Sequence, residues 1–154
     1  MVEAKSQVVS LEPTAFEVKS SLEECVLLGN KCQRCGLAFF PRRHFCTKCC
    51  GSRLLEIRLS SRGHLMSFTS VYQKPKYAVV EPPYVVGEIE LPEGVVVYSL
   101  LTRCSAGELK TGAEMELAAV KVREEERQGE PATVLAYAFM PSCLPDPHLL
   151  SSSC

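Results

Sequence analysis

The sequence predicts a mainly β protein in two unequal parts, a cysteine-tied ribbon followed by a small closed barrel, with a short helix ahead of both. Three observations predict this. Two Cys-x-x-Cys pairs, Cys32-Gln33-Arg34-Cys35 and Cys46-Thr47-Lys48-Cys49, are separated by ten residues. Beyond residue 53 apolar residues alternate with polar ones at the period of a strand, as Leu55, Ile57 and Leu59 do around Glu56 and Arg58. Turn signals rich in Gly and Pro then break the strand-like runs at short intervals.

The bulk composition sets bounds. A chain of 154 residues with 46% hydrophobic content can bury one modest core beside a ribbon. Seventeen Lys and Arg against eighteen Asp and Glu give a net charge of -1, which offers no global attraction for a polyanion. The longest apolar runs, 84–86 and 95–101, fall far short of the ~20 residues a helix needs to cross a bilayer. The start, Met1-Val2-Glu3-Ala4-Lys5, carries no apolar stretch of signal-peptide type. Nine cysteines, an odd number, without an export signal predict a reducing compartment, the cytoplasm, with Cys25, Cys50, Cys104, Cys143 and Cys154 as free thiols.

Residues 1–24 read as an arm and a helix. The first dozen residues look unstructured, and 14–24 carry Ala15, Phe16, Val18 and Leu22 among charges, which predicts a short amphipathic helix. The ribbon follows over 25–52. Val26-Leu27-Leu28 lead into the first cysteine turn, Leu37-Ala38-Phe39-Phe40-Pro41 return between the turns, and Gly51-Ser52 close the second. Each tight turn aims two thiolates at one ion, and Zn²⁺ accepts a tetrahedron of four sulfurs at Cys32, Cys35, Cys46 and Cys49. A site closed by four cysteines leaves no position for water or substrate, so the expected role is structural. Iron in an S₄ site has the same spacing. Cys50 competes with Cys49 for the fourth position, and His44 stands close in sequence. A redox dithiol is the weaker reading, because no βαβ pattern surrounds either pair. Phe39, Phe40 and Phe45 are expected to pack this metal-dependent unit.

The barrel is expected over 53–140. After the strand around Leu55, a second run covers 64–72, and the segment 73–83, stiffened by Pro75, Pro82 and Pro83, reads as a loop. Strands resume over 84–91, turn at Pro92-Glu93-Gly94 and continue over 95–103. A loop through Gly107 and Gly112 precedes a strand over 114–123, joined by a polar turn at 124–131 to a last strand over 132–140. Five or six strands with such turns fit a closed OB-fold barrel better than a sandwich. The tail, 141–154, is rich in proline and serine and is expected to be disordered or to order on a partner.

Several motifs then occur in one order: Lys31-Cys32-x-x-Cys35-Gly36, Phe40-Pro41-x-Arg43, the second pair near Gly51-Ser52, Gly63-x-x-x-Ser67-Phe68-Thr69, and Pro82-Pro83-Tyr84-Val85-Val86. In this the chain resembles the DUF35 family over roughly 14–140. It departs where Arg42 stands in place of a frequent second proline, and where Cys50 replaces a small residue or histidine. The resemblance implies a rubredoxin-like zinc ribbon joined to an OB-fold domain associated with acyl-CoA. It further implies a non-catalytic accessory subunit of a hetero-oligomer. The partner so implied is most often a thiolase-superfamily enzyme, and in some systems a hydratase or an aldolase, that supplies nucleophile and base, here for thiolysis or carbon–carbon bond formation of the benzoylsuccinyl-CoA or acetoacetyl-CoA type.

The residues agree with a dependent role. His44, His64 and His148 are scattered, and Cys104 and Cys143 lie at strand ends without a neighbouring activator, so no catalytic residue is assigned. Coenzyme A presents phosphates, which favour Lys or Arg, and a long pantetheine arm, which favours a narrow, partly apolar channel. Arg42, Arg43 and Lys48 are the candidates for the first, and Tyr72, Lys74, Pro83 and Tyr84 for the second or for partner contact. Lys31, Arg34, Arg53, Arg58 and Arg62 extend the basic stretch, which suits the phosphates of a small ligand or of a nucleic acid, or a solvated surface. The second reading is a single-stranded nucleic-acid module stacking bases on Phe68, Tyr72 and Tyr84. Against it stand the absence of Trp, the run Glu124-Glu125-Glu126 and the net charge.

Overall fold

The computed structural model describes residues 7–19 and 24–142, and among them finds ten strands and no helix. Five strands close a barrel: β6 (Arg62–Val71), β7 (Tyr84–Glu90), β8 (Val96–Leu101), β9 (Glu114–Arg127) and β10 (Glu130–Pro141). β6, β7 and β8 pair antiparallel in turn, and β8 then meets β10 in parallel, with Leu100 opposite Ala138 and Leu101 opposite Phe139. β10 pairs antiparallel with β9, and β9 returns to β6 through Arg62 opposite Glu116, which completes the ring. This is the closed five-stranded order expected of an OB-like barrel. Closure leaves none of these five strands with a fully open edge.

Period-two alternation builds the interior. Along β8, Val97, Ser99 and Leu101 are buried while Val96 and Tyr98 face out. Leu65, Ile89, Met115, Leu135 and Phe139 complete the centre of one core. Phe139 and Ile89 are 0% exposed, and each side chain so buried stabilises by roughly 1.5–3 kcal/mol. At Gln128-Gly129 both residues have positive φ, 54° and 82°, the two-residue turn whose twist suits a hairpin. β9 and β10 therefore run into it as one hairpin, with a register shift between Val134 and Leu135. The polar turn expected over 124–131 is corrected: Glu124, Glu125 and Glu126 belong to β9, paired with Thr133, Ala132 and Pro131.

A second sheet centres on β3 (Cys25–Cys32), which pairs antiparallel with β2 (Phe16–Val18), β4 (Ala38–Phe39) and β5 (Leu54–Arg58). The helix expected over 14–24 is not present among the described residues; residues 20–23 lie outside them. Phe16 and Val18 instead take a strand's two-residue period opposite Leu27 and Cys25. An isolated helix of about three turns is marginal against the cost of nucleation, whereas β3 offers ready partners. The arm expected to be unstructured also needs correction. β1 (Gln7–Ser10) adds in parallel to the first half of β10, Ala132–Leu135, upstream of the stretch that β8 occupies. The expectations for residues 143–154 fall outside the described residues.

The two sheets share their interior. Phe16, Leu27 and Leu59 pack into the same buried cluster as the barrel's Leu65, Ile89 and Phe139. Phe40 adds an edge-on contact with Tyr137 of β10, centroids 5.6 Å apart at 83°. Phe39 is buried against Cys32 and Cys46. The packing role expected of Phe45 does not hold, since it is 65% exposed.

Candidate metal centre and barrel cleft

The ribbon builds one loop twice. In the first, the amide of Gly36 donates to the carbonyl of Cys32 (2.9 Å), and the amide of Cys32 donates to the carbonyl of Leu37 (2.9 Å). In the second, the amide of Cys50 donates to the carbonyl of Cys46 (2.9 Å), and the amide of Cys46 donates to the carbonyl of Gly51 (2.9 Å). Gly36 and Cys50 hold the same left-handed place, φ 77° and 56°. Cys50 thus occupies the position where the first loop uses glycine, and its side chain is exposed. The competition between Cys49 and Cys50 is resolved by this geometry in favour of Cys49.

Four sulfurs converge. The ligand atoms of Cys32, Cys35, Cys46 and Cys49 all lie within 4.8 Å of one another. Cys32 Sγ is 3.6 Å from Cys49 Sγ, and Cys35 Sγ is 3.4 Å from Cys46 Sγ. Zinc bonds of ~2.3 Å in a tetrahedron set sulfurs about 3.8 Å apart, so the constellation fits a tetrathiolate with small adjustments. His44 is exposed and outside the group. Gly51 forms part of the floor: a Cβ there would stand 3.3 Å from Cys49 Sγ and 3.9 Å from Cys32 Sγ.

Charge explains why such a group calls for a dication. The amide of Cys49 and other donors pull the Cys46 thiol down to about 6, and the amide of Cys35 lowers Cys32. At Cys49 the amide of Gly51 also pulls downward. Burial and the protons shared with Cys32, Cys46 and Cys35 outweigh it and push Cys49 up to about 11. Cys35 is likewise raised despite the amide of Leu37, through Cys46. Four crowded thiols ionise together only beside a compensating cation.

The candidates for ligand contact separate in space. Tyr72, Pro83 and Tyr84 line one cleft at the barrel's end, together with Arg103 and Cys104 from the segment after β8. Arg103 is held at a positive φ of 56° and donates toward Met140 sulfur at 3.8 Å. Sequence reasoning did not place Arg103 in this cleft, because only the parallel β8–β10 pairing fixes where that segment emerges. The Cys104 thiol is pushed up by burial and by Glu108, which keeps it protonated. Lys74 is not in the lining and is ion-paired with Glu81. On the ribbon, Arg42 is ion-paired with Glu56. Arg43 is positioned by the buried Asn30, whose Nδ2 donates to the Arg43 carbonyl (2.6 Å) and whose Oδ1 accepts from the Arg43 amide (3.3 Å). The Arg43 and Lys48 side chains are exposed, and none of the three ribbon cations lines the barrel cleft. Phe68 is half-buried and packs against the core. Among the described residues no helix is long and apolar enough to cross a membrane.

Comparison with known proteins is consistent with this architecture. Residues 21–56 match the family described as "ChsH2, rubredoxin-like zinc ribbon domain", and 56–120 match "ChsH2, C-terminal OB-fold domain". A DUF35 domain-containing scaffold protein of Methanothermobacter thermautotrophicus is 35% identical over 114 residues, 73% of this chain and 83% of that protein. Benzoylsuccinyl-CoA thiolase subunit BbsA of Thauera aromatica is 30% identical over 137 residues, 89% of this chain and 91% of that one. Among solved structures, the Ltp2-ChsH2(DUF35) aldolase superposes with a TM-score of 0.59 at 20% identity, over 77% of this chain and 86% of that chain. That likeness establishes the fold.

Proposed function

The chain belongs to the DUF35 family, and from that premise we propose that it is a non-catalytic partner subunit of an acyl-CoA-transforming complex. It docks on a thiolase-superfamily enzyme and helps to form that enzyme's acyl-CoA site, for thiolysis or carbon–carbon bond formation of the benzoylsuccinyl-CoA or acetoacetyl-CoA type. The observation that carries the reading is the near end-to-end match to a relative named as a thiolase subunit, 89% of this chain against 91% of that one.

The residues support a dependent role. The candidate metal centre uses four cysteines in a closed set, which supplies shape and no open coordination position. When bound, zinc would be held by Cys32, Cys35, Cys46 and Cys49 as a structural ion, and the chemistry it supplies is charge neutralisation of the four thiolates. Cys104 and Cys25 are both held protonated by burial, the opposite of an activated nucleophile. The nucleophile and base therefore come from the partner. Tyr72, Pro83 and Tyr84 wall a channel for the pantetheine arm, with Arg103 as the cation at that end. Arg43 and Lys48 remain candidates for phosphate, while Arg42 and Lys74, each committed to a carboxylate, are weaker ones. Nine cysteines, the described ones free thiols, suit a reducing cytoplasm.

The test is capture of the tagged full chain from its native host, with co-purifying chains identified by mass spectrometry with and without nuclease treatment. The expected result is a stoichiometric thiolase-family chain that survives nuclease. Recovery of no metabolic enzyme, with nucleic acid or ribonucleoproteins lost on nuclease treatment, overturns the reading in favour of a nucleic-acid module.

A further inference from the structure

Besides the barrel cleft, the ribbon carries a second concavity. It is a cleft of about 420 Å³ lined by Gln33, Arg34, Gly51, Ser52 and Arg53. Arg34 belongs to the first cysteine loop and Arg53 follows the second, and the amide of Gln33 donates to the carbonyl of Arg53 (3.0 Å), which fixes the two loops side by side. Glycine keeps the floor low: a Cβ at Gly51 would stand 4.0 Å from Arg34 Cβ and in contact with the sulfurs beneath. The remaining lining is Gln33 and Ser52, both hydrogen-bond donors, and it contains no carboxylate.

The two arginines are also uncommitted. Arg42, Arg58, Arg62, Lys74, Lys121, Arg123 and Arg127 each meet a glutamate. Among the described residues Arg34 and Arg53 form no such pair, and neither do Arg43 and Arg103; of these four only Arg34 and Arg53 line this cleft. The surrounding charge favours an anion even above a metal tetrathiolate. Between Glu24 and Glu56 there is no Asp or Glu, against six cations at Lys31, Arg34, Arg42, Arg43, Lys48 and Arg53. After the -2 of a zinc tetrathiolate, residues 25–55 still carry +4, or +3 once Glu56, which pairs with Arg42, is counted. Guanidinium forks match phosphate oxygens in pairs, and two arginines on one cleft suit a phosphate monoester or diphosphate.

We propose that this cleft anchors the phosphate groups of a small phosphorylated ligand through Arg34 and Arg53. This moves the phosphate contact away from Arg43 and Lys48, which do not line the cleft, and from Arg42, which Glu56 already engages. The proposal deepens the acyl-CoA reading and rests on it only for which ligand carries the phosphates.

Calorimetric titration of the zinc-loaded full chain tests it, with pyrophosphate and adenosine 3′,5′-bisphosphate as probes, at two salt concentrations. The expected result is binding that weakens with salt and falls at least about tenfold in the double variant Arg34→Gln/Arg53→Gln, since both guanidinium forks are removed. Lys110→Gln, an exposed cation elsewhere, leaves it unchanged. Zinc content is measured on every sample, and the double variant retains its metal. No binding of either probe by the parent chain overturns the proposal, as does equal binding by the double variant. Loss of zinc in step with loss of phosphate binding makes the arginines counter-charges for the thiolates and overturns it too. A single-stranded oligonucleotide that binds more tightly than the bisphosphate, phosphate for phosphate, overturns the small-ligand assignment. Capture of the thiolase-type partner by the double variant is scored separately, so failure of the cleft and failure of the partner reading remain distinct.

Discussion

Replacing Gly63 with alanine tests the barrel where its strands approach most closely. Gly63 lies at the start of β6, opposite Met115 of β9, with no side chain between it and the next layer. A Cβ there would stand 2.5 Å from the carbonyl oxygen of Glu90, 2.7 Å from Ile89 Cγ2 and 2.9 Å from Leu91 Cδ2. Ordinary carbon–oxygen contacts are about 3.3 Å or longer, so the first is short by most of an ångström. The oxygen is backbone and cannot rotate aside. Ile89 and Leu91 are 0% and 2% exposed, so neither has room to turn outward. Overpacking of this kind costs roughly 1–3 kcal/mol, with the upper end appropriate to a backbone clash. Alanine's smaller unfolded-state entropy returns roughly 0.4–1 kcal/mol. The net is about 2 kcal/mol, which at this chain length lowers Tm by about 4–8 °C. Scanning calorimetry of the zinc-loaded full chain reads the shift. Gly107→Ala is the control: nothing lies within 4 Å of its Cβ and its φ is not left-handed, so it moves Tm by about 2 °C or less. If Gly63→Ala melts together with Gly107→Ala, the close approach of β6 to β7 is wrong.

Three further outcomes are expected. Cys46→Ser drops zinc, measured by plasma mass spectrometry after dialysis against a mild chelator, from about one equivalent to a small fraction, while Cys50→Ser retains it; equal loss in both would restore Cys50 as a ligand. Phe40→Ala removes the edge contact with Tyr137 and costs about 2 kcal/mol, less than a fully buried phenylalanine, while zinc content is unchanged; unchanged thermal stability would show that the ribbon and barrel are not joined there. The Ser105 hydroxyl and amide hold the Glu108 carboxyl below the ordinary range. Its contribution is therefore present above the unfolded carboxylate pKa and lost as pH falls through the lower folded value. Parent and Glu108→Gln chains differ in Tm at pH 7 and converge as pH falls through the lowered carboxyl value; a difference that grows with acid contradicts the sign.

Local spacing was legible and distant pairing was not. The two Cys-x-x-Cys turns are each closed by hydrogen bonds within five residues, so four letters of sequence carry them. The barrel strands were legible where apolar and polar residues alternate, as Ile89 and Leu91 do beside the exposed Glu88 and Glu90; along β8 the buried Ser99 and the exposed Val96 and Tyr98 run against that rule. By contrast, Gln7–Ser10 becomes a strand only because Ala132–Leu135 offers an edge more than a hundred residues away. Phe16 and Val18 are ambiguous between helix and strand over so short a stretch, and β3 decides the matter. Glu124, Glu125 and Glu126 look like a turn by polarity, yet a strand with both faces wet carries charge freely, and Gln128-Gly129 supplies the positive φ that the true turn requires. At the candidate site the limit was partner choice. That Glu56 takes Arg42 and Glu81 takes Lys74 depends on β5 lying beside β3 and on how 73–83 folds back, neither of which spacing encodes.

Strand β3 makes the metal centre more than a local staple. Its first half packs Leu27 and Leu28 into or against the common core, and its last residue, Cys32, is a sulfur of the cluster. Between them Gly29 lies so close to β4 that a Cβ would be 2.5 Å from the carbonyl of Phe39, and Asn30 holds the Arg43 backbone. Loss of the ion leaves four thiols that cannot share their charge, and the cysteine loops lose the contacts that orient Arg34, Lys48 and Arg53, while Asn30 still holds the Arg43 backbone. The barrel's own ring of five strands does not pass through those loops, so it has a route to remain closed. The physical consequence is a graded response: metal removal first disorders the cationic face that a phosphorylated ligand or a partner would meet. The Tyr72 and Tyr84 cleft, fixed by β6, β7 and β8, persists until the core around Leu27 and Phe16 gives way.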